Sequence, residues 1–121
     1  MIVDVASALY AFFSGFGIPT YTTNNVPETA VLPYLTYDFT VSKTLASTPL
    51  GARLWWEGTL PRAMLEKADE IGARIGAGIQ IPCGNGYLWM YKGEPFVQAI
   101  ADEDERISTL YLNIIASFDL N

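Results

Sequence analysis

The final stretch of the chain alternates. From Arg106 to Leu120, every second residue is apolar: Leu110, Leu112, Ile114, Ala116, Phe118 and Leu120. The interleaved residues, Ile107, Thr109, Tyr111, Asn113, Ile115, Ser117 and Asp119, are mixed to polar. Strand side chains point to opposite faces in turn, so this pattern describes a long strand with one face in a core. The strand is long, and its second face half-faces something else.

The chain has 121 residues, half of them apolar. That suits one domain, residues 1–121, with a core large enough to stand without disulfides or metal. One cysteine, Cys83, excludes an intrachain disulfide. Thirteen acidic residues against seven basic ones give a net charge of −6. Phosphate-driven binding of nucleic acid needs clustered Lys and Arg, and so does docking on an anionic membrane. Neither is expected here. No apolar run is long enough for a membrane span. Met1 to Phe16 carries Asp4 where a secretory leader carries basic residues, so it reads as structure.

Val5, Ala8, Leu9, Phe12 and Phe13 recur at helical spacing and predict a helix over Val3–Ser14. Gly15, Gly17 and Pro19 end it. Ile18–Thr23 is a short run of β formers. Pro33–Val41 alternates, with Leu35, Tyr37, Phe39 and Val41 on one face, and predicts a strand. Ser42–Gly51 reads as an exposed loop. Ala52–Gly58 is a further strand, in which adjacent Trp55 and Trp56 must face opposite ways. Thr59 is placed to cap a helix that runs from Leu60 or Pro61 to Ile75. In that helix Leu65, Ala68, Ile71, Gly72 and Ile75 line the apolar side. Gly84-Asn85-Gly86 joins Ile79–Cys83 to Tyr87–Lys92 as a hairpin. Lys92-Gly93 reads as a second turn, with Glu94–Ile100 extended after it. The sum is an α+β fold: a mainly antiparallel sheet with two helices.

Catalytic signals are sparse. There is no histidine, which removes histidine triads and the commonest metal ligand. No glycine-rich phosphate loop is present. Asp102–Glu105 lacks the alternating ligands and central glycine of a calcium loop and reads as a solvated turn. Cys83 has no neighbouring base in sequence. Asp38 and Glu57 are the one pair of strand carboxylates to weigh as an acid–base couple. No cofactor, metal ligand or catalytic residue is assigned.

Aromatic residues carry more information. If the helices cover one sheet face, Tyr34, Tyr111, Ile115 and one of the two tryptophans, Trp55, occupy the other. Such a patch marks a protein interface, unless the chain's own hairpin and first helix cover it. A different class of function, a small-ligand module, would gather Trp55, Trp89 and Tyr91 around a pocket.

The order of elements resembles a known family. The chain has a leading helix and Val26-Pro27-Glu28, then Pro33-Tyr34-Leu35-Thr36-Tyr37. Leu54-Trp55-Trp56 comes before a helix with Ala68-Asp69-Glu70-Ile71. A glycine-rich hairpin follows, then Asp102-Glu103-Asp104 leading into Tyr111-Leu112-Asn113. This is similar to the small tail-terminator, tail-completion and minor structural proteins of long-tailed bacteriophages. The resemblance implies a twisted antiparallel sheet flanked by two helices, and a non-enzymatic subunit of a ring, usually hexameric. Such a ring ends tail-tube growth and joins tail to head in the virion, after assembly in the host cytoplasm. Its implied partners are copies of itself, the tail-tube protein and head-connector or neck proteins. DNA would pass through without being gripped, since an acidic lumen repels it.

Overall fold

The computed structural model describes residues 1–42 and 47–119. Its elements are α1 (Ile2–Phe13), a 3-10 turn (Ser14–Phe16), β1 (Thr20–Thr22), β2 (Tyr34–Tyr37), β3 (Thr48–Pro49), β4 (Ala52–Glu57), α2 (Arg62–Ile75), β5 (Ile79–Cys83), β6 (Gly86–Ile100) and β7 (Ile107–Asp119). Among the described residues the strands form one sheet in the order β1-β2-β4-β7-β6-β5, with β3 also paired to β7. β1 runs parallel to β2 and every other pairing is antiparallel. The fold is therefore α+β.

β7 is the axis, as its alternation demands. Leu110, Leu112, Ile114, Ala116 and Phe118 are all buried. They join Leu35, Tyr37, Leu54, Leu88 and Met90 in a single core. Both helices cover this one face. α1 contributes Val5, Ala8, Leu9, Phe12 and Phe13, the stripe its spacing predicts. Phe13 stacks on Tyr37 with ring centroids 4.7 Å apart. Gly17 closes the following 3-10 turn at φ 79°, a conformation suited to glycine.

α2 departs from expectation in two ways. Thr59 is not its cap: Pro61 precedes the first helical residue, with no side-chain cap bond. Ser108 of β7 holds the connection instead, accepting from the Leu60 N–H at 2.7 Å and donating to the Gly58 carbonyl. That tether keeps the chain non-helical until Pro61. The buried residues are then Met64, Ala68, Ile71, Gly72 and Ile75. Leu65 is 44% exposed. Two adjacent apolar residues open this helix, and the core takes Met64. Met64→Ala is expected to destabilise by about 2–5 kcal/mol and Leu65→Ala by about 0.5 kcal/mol, compared by urea unfolding. Equal losses would reverse this assignment.

Three strand expectations also change. The predicted Pro33–Val41 strand ends at Tyr37, because its partner β4 starts at Ala52, opposite Tyr37. Asp38 still donates its N–H to Gly51, but Phe39 is exposed. In the predicted Ser42–Gly51 loop, residues 43–46 lie outside the described residues. Its end is not a loop: Thr48 and Pro49 pair with Ala116 and Ile115. Leu50 is fully buried and its N–H bonds to Ile114 at 2.7 Å. Finally, Lys92-Gly93 is no turn. β6 continues through it with a register shift between Lys92 and Val97. Asn113 lies across Gly93, where an added Cβ would come 2.6 Å from the Asn113 Cγ. Phe96, from the shifted segment, packs on Gly72 of α2, where a Cβ would stand 3.0 Å from its ring. The predicted final strand is described as far as Asp119; Leu120 lies outside the described residues.

Candidate functional site

The sheet face opposite the helices collects the aromatic residues. The register fixes who stands there. Tyr34 is opposite Trp55, and Trp55 is opposite Thr109. Arg53 is opposite Tyr111, while Ile115 lies between Pro49 and Tyr91. Tyr34, Trp55, Tyr111 and Ile115 are all half-buried on this face. Trp56 turns the other way and packs against the core.

The side chains are ordered by one another. Tyr34 stacks on Trp55 with centroids 6.0 Å apart and planes 26° apart. Tyr21 meets Tyr34 edge-on at 5.7 Å. The Trp55 indole N–H donates to the Thr36 hydroxyl at 2.9 Å, so this ring keeps its polar atom satisfied without water. The Arg53 guanidinium lies 5.5 Å from the Tyr111 ring centroid, a cation–π placement. Tyr111 in turn covers Gly51, where any side chain would collide with its hydroxyl. Burial first, then the nearby Asp102 and Tyr21, pushes the Tyr34 hydroxyl above its ordinary pKa. It stays a neutral hydrogen-bonding group at physiological pH. Further along, Ser47 links the Tyr91 and Ser117 hydroxyls at 3.0 Å each.

Tyr21 and Arg53 belong to this array and were not singled out from the sequence. Tyr21 reaches it through the parallel pairing of β1 with β2, a contact between distant segments that local pattern does not encode. The pocket expected from Trp55, Trp89 and Tyr91 does not form. Trp55 is paired with Thr109 and Trp89 with Ser117. Eight residues of strand separate those positions, roughly 27 Å. Trp89 and Tyr91 share the far end of the face.

The structure keeps the remaining candidates apart from this array and from one another. Asp38 bonds to Gly51, six strand residues from Glu57. That is roughly 20 Å, far beyond the separation of a glycosidase pair. The Asp38 carboxylate instead accepts from the Thr23 hydroxyl at 2.7 Å. Cys83 is buried, and burial together with Asp4 pushes its thiol pKa up, away from a reactive thiolate. Among the described residues no group of three or more carboxylates or thiols gathers as a metal site. No helix among them is long and apolar enough to cross a membrane.

The acidic turn binds itself. Asp102 accepts from the Asp104 N–H at 2.9 Å. Asp104 accepts from the Arg106 backbone N–H and Nε at 3.0 Å and pairs with its terminal nitrogen at 2.9 Å. These bonds hold the Asp104 carboxyl down to about 2, from 3.8. A depressed carboxyl pKa stabilises the fold fully above the unfolded value and loses that contribution as pH falls through the folded one. The turn is therefore expected to loosen between about pH 4 and pH 2. Carboxyl carbon shifts followed by NMR would check it; an Asp104 midpoint near 3.8 would refute the pairing in solution.

No protein-family model matches this chain, and no curated protein matches it at a significant level.

Proposed function

We propose that this chain is a structural virion subunit that joins copies of itself into a ring at the head-proximal end of a bacteriophage tail. The ring, hexameric by family likeness, ends tube growth and presents a surface to head-connector or neck proteins. One observation carries the proposal: the sheet face bearing Tyr34, Trp55, Tyr111 and Ile115 is covered by neither helix. Ordered, half-buried aromatics flanked by Arg53 are the composition of a protein interface core. A ring is a heterologous assembly that closes on itself, so each subunit offers one face and receives another. The net charge of −6 suits a conduit for a polyanion. The likeness in the order of elements, from the Val26-Pro27-Glu28 segment to Tyr111-Leu112-Asn113, is what supports a position on a tail.

Native mass spectrometry of the purified protein, with electron microscopy of the same sample, tests the assembly. The expected result is a closed oligomer with rotational symmetry. A monomer that also fails to complement tails blocked at termination or joining would refute the proposal.

A further inference from the structure

β1 and β2 are the one parallel pair among the described strands, so both end on the same side of the sheet. The chain leaves β1 through Thr23, Asn24 and Asn25, and leaves β2 through Asp38, Phe39 and Thr40. These two exits line a cleft of about 530 Å³, with Ala6 of α1 beside them. Loops set on the ends of fixed strands are where binding groups are commonly carried.

The polar groups of this cleft are tied to one another. The Thr23 N–H donates to the Tyr37 carbonyl at 2.9 Å, and the Thr23 hydroxyl donates to one Asp38 carboxylate oxygen at 2.7 Å. Asn25 folds back on Thr22 twice. Its backbone N–H reaches the Thr22 carbonyl at 3.0 Å, and its side-chain amide reaches the Thr22 hydroxyl at 3.2 Å. The Asp38 N–H donates to the Gly51 carbonyl at 2.9 Å. Tyr37 is buried and stacked on Phe13, which anchors that strand end. Groups held in this way have little freedom left to lose on binding.

The lining decides the ligand class. The volume falls in the range of small-ligand sites, roughly 300–1,000 Å³. Most of the described lining side chains are hydroxyls and amides, with a single carboxylate, Asp38. An apolar ligand would strip water from these groups and return no hydrogen bonds. A phosphate or carboxylate would face Asp38, with no Lys or Arg among the described lining residues to meet it. An ammonium brings donors alone and answers only half of an asparagine amide. A sugar hydroxyl both donates and accepts, so a ring of them answers hydroxyl, amide and carboxylate alike. The C–H face of that ring suits the negative face of an aromatic side chain, and Phe39 lines the cleft 41% exposed. We infer that this cleft binds a neutral sugar, with Asp38 and Asn24 bonding its hydroxyls and the Phe39 ring receiving its C–H face. None of Tyr34, Trp55, Tyr111 and Ile115 lines it, so the inference is independent of the ring.

The test titrates the full-length, isotope-labelled protein and follows its amides by NMR. The probes are the methyl glycosides of glucose, galactose, mannose and N-acetylglucosamine, with cellobiose and chitobiose. At least one is expected to give saturable shifts at residues 22–25 and 38–40, with a Kd below about 1 mM. Asn24 and Phe39 are exposed, so Asn24→Ala and Phe39→Ala should leave thermal unfolding unchanged. Each is expected to weaken that sugar about tenfold. Asp38→Asn, which removes charge-assisted bonds, should weaken it at least as much. Glucosamine and glucose 6-phosphate are the charged controls, and neither is expected to bind more tightly than glucose. A preference of about tenfold for glucosamine would reassign the cleft to a cation, and the same preference for the phosphate would reassign it to an anion. No saturable shift from any of these sugars, shifts confined to residues outside the cleft, or unchanged affinity in all three variants would also overturn the site.

Discussion

Ile114→Asp is expected to leave the protein without a cooperative unfolding transition. Ile114 is fully buried at the centre of β7. β3 with Leu50 bonds along one edge of that strand and β6 along the other. Removing the side chain forfeits roughly 1.5–3 kcal/mol of apolar burial. Placing a carboxylate there costs several kcal/mol more, because Ile114 is fully buried while the cation across the strand, Lys92 of β6, is exposed with its ammonium over the Phe96 ring. Domains of this size hold only about 5–15 kcal/mol in total. Strand register offers no escape, since a slip by one residue would turn every core side chain of β7 outward. Circular dichroism on heating would show a sloping, non-cooperative trace. A sigmoidal transition close to that of the unaltered protein would mean that the alternation has been assigned to the wrong face.

Its neighbour is the control. Asn113 stands on the opposite face, half-buried, with its amide over Gly93. Asn113→Asp keeps the shape, adds a charge away from the core, and is expected to change stability by no more than about 0.5–1 kcal/mol.

The two faces of β7 were legible because alternation is local and the strand is long. The α1 stripe and the Gly84-Asn85-Gly86 connection were legible for the same reason: each needs only neighbours in sequence. What escaped depended on partners. The end of β2 is set by where β4 begins. The start of α2 is set by Ser108, nearly fifty residues further on. Lys92-Gly93 looks like a turn by composition, yet β7 holds both sides of it in one strand. The glycine is needed because Asn113 crosses it, not because the chain reverses. The shared outer face of Tyr34, Trp55, Tyr111 and Ile115 was legible, since it follows from parity along their strands. Their companions Tyr21 and Arg53 were not, because parity says nothing about which strands are neighbours.

Ile115→Asp, one residue from the core position, is expected to leave the fold intact and dismantle the proposed ring. Ile115 sits on the outer face between Pro49 and Tyr91. In a free subunit this position is half-buried, so its replacement should cost about 1–2 kcal/mol, short of unfolding the domain. In a ring built through this face, each interface would hold an uncompensated carboxylate among aromatic rings. Breaking complementarity in that way costs about 3–5 kcal/mol, a factor of roughly a hundred to several thousand in affinity. A closed ring repeats the loss at every interface, so the population shifts to free subunits rather than to a weakened ring. Trp55→Ala should act in the same direction, by about 2 kcal/mol or more for an interface tryptophan. It also removes the bond to Thr36, so the isoleucine change gives the cleaner separation of folding from assembly. Native mass spectra, with thermal unfolding of the same samples, would read both quantities. An oligomer that survives Ile115→Asp unchanged would place the subunit contact elsewhere on the molecule and remove this face from the proposal.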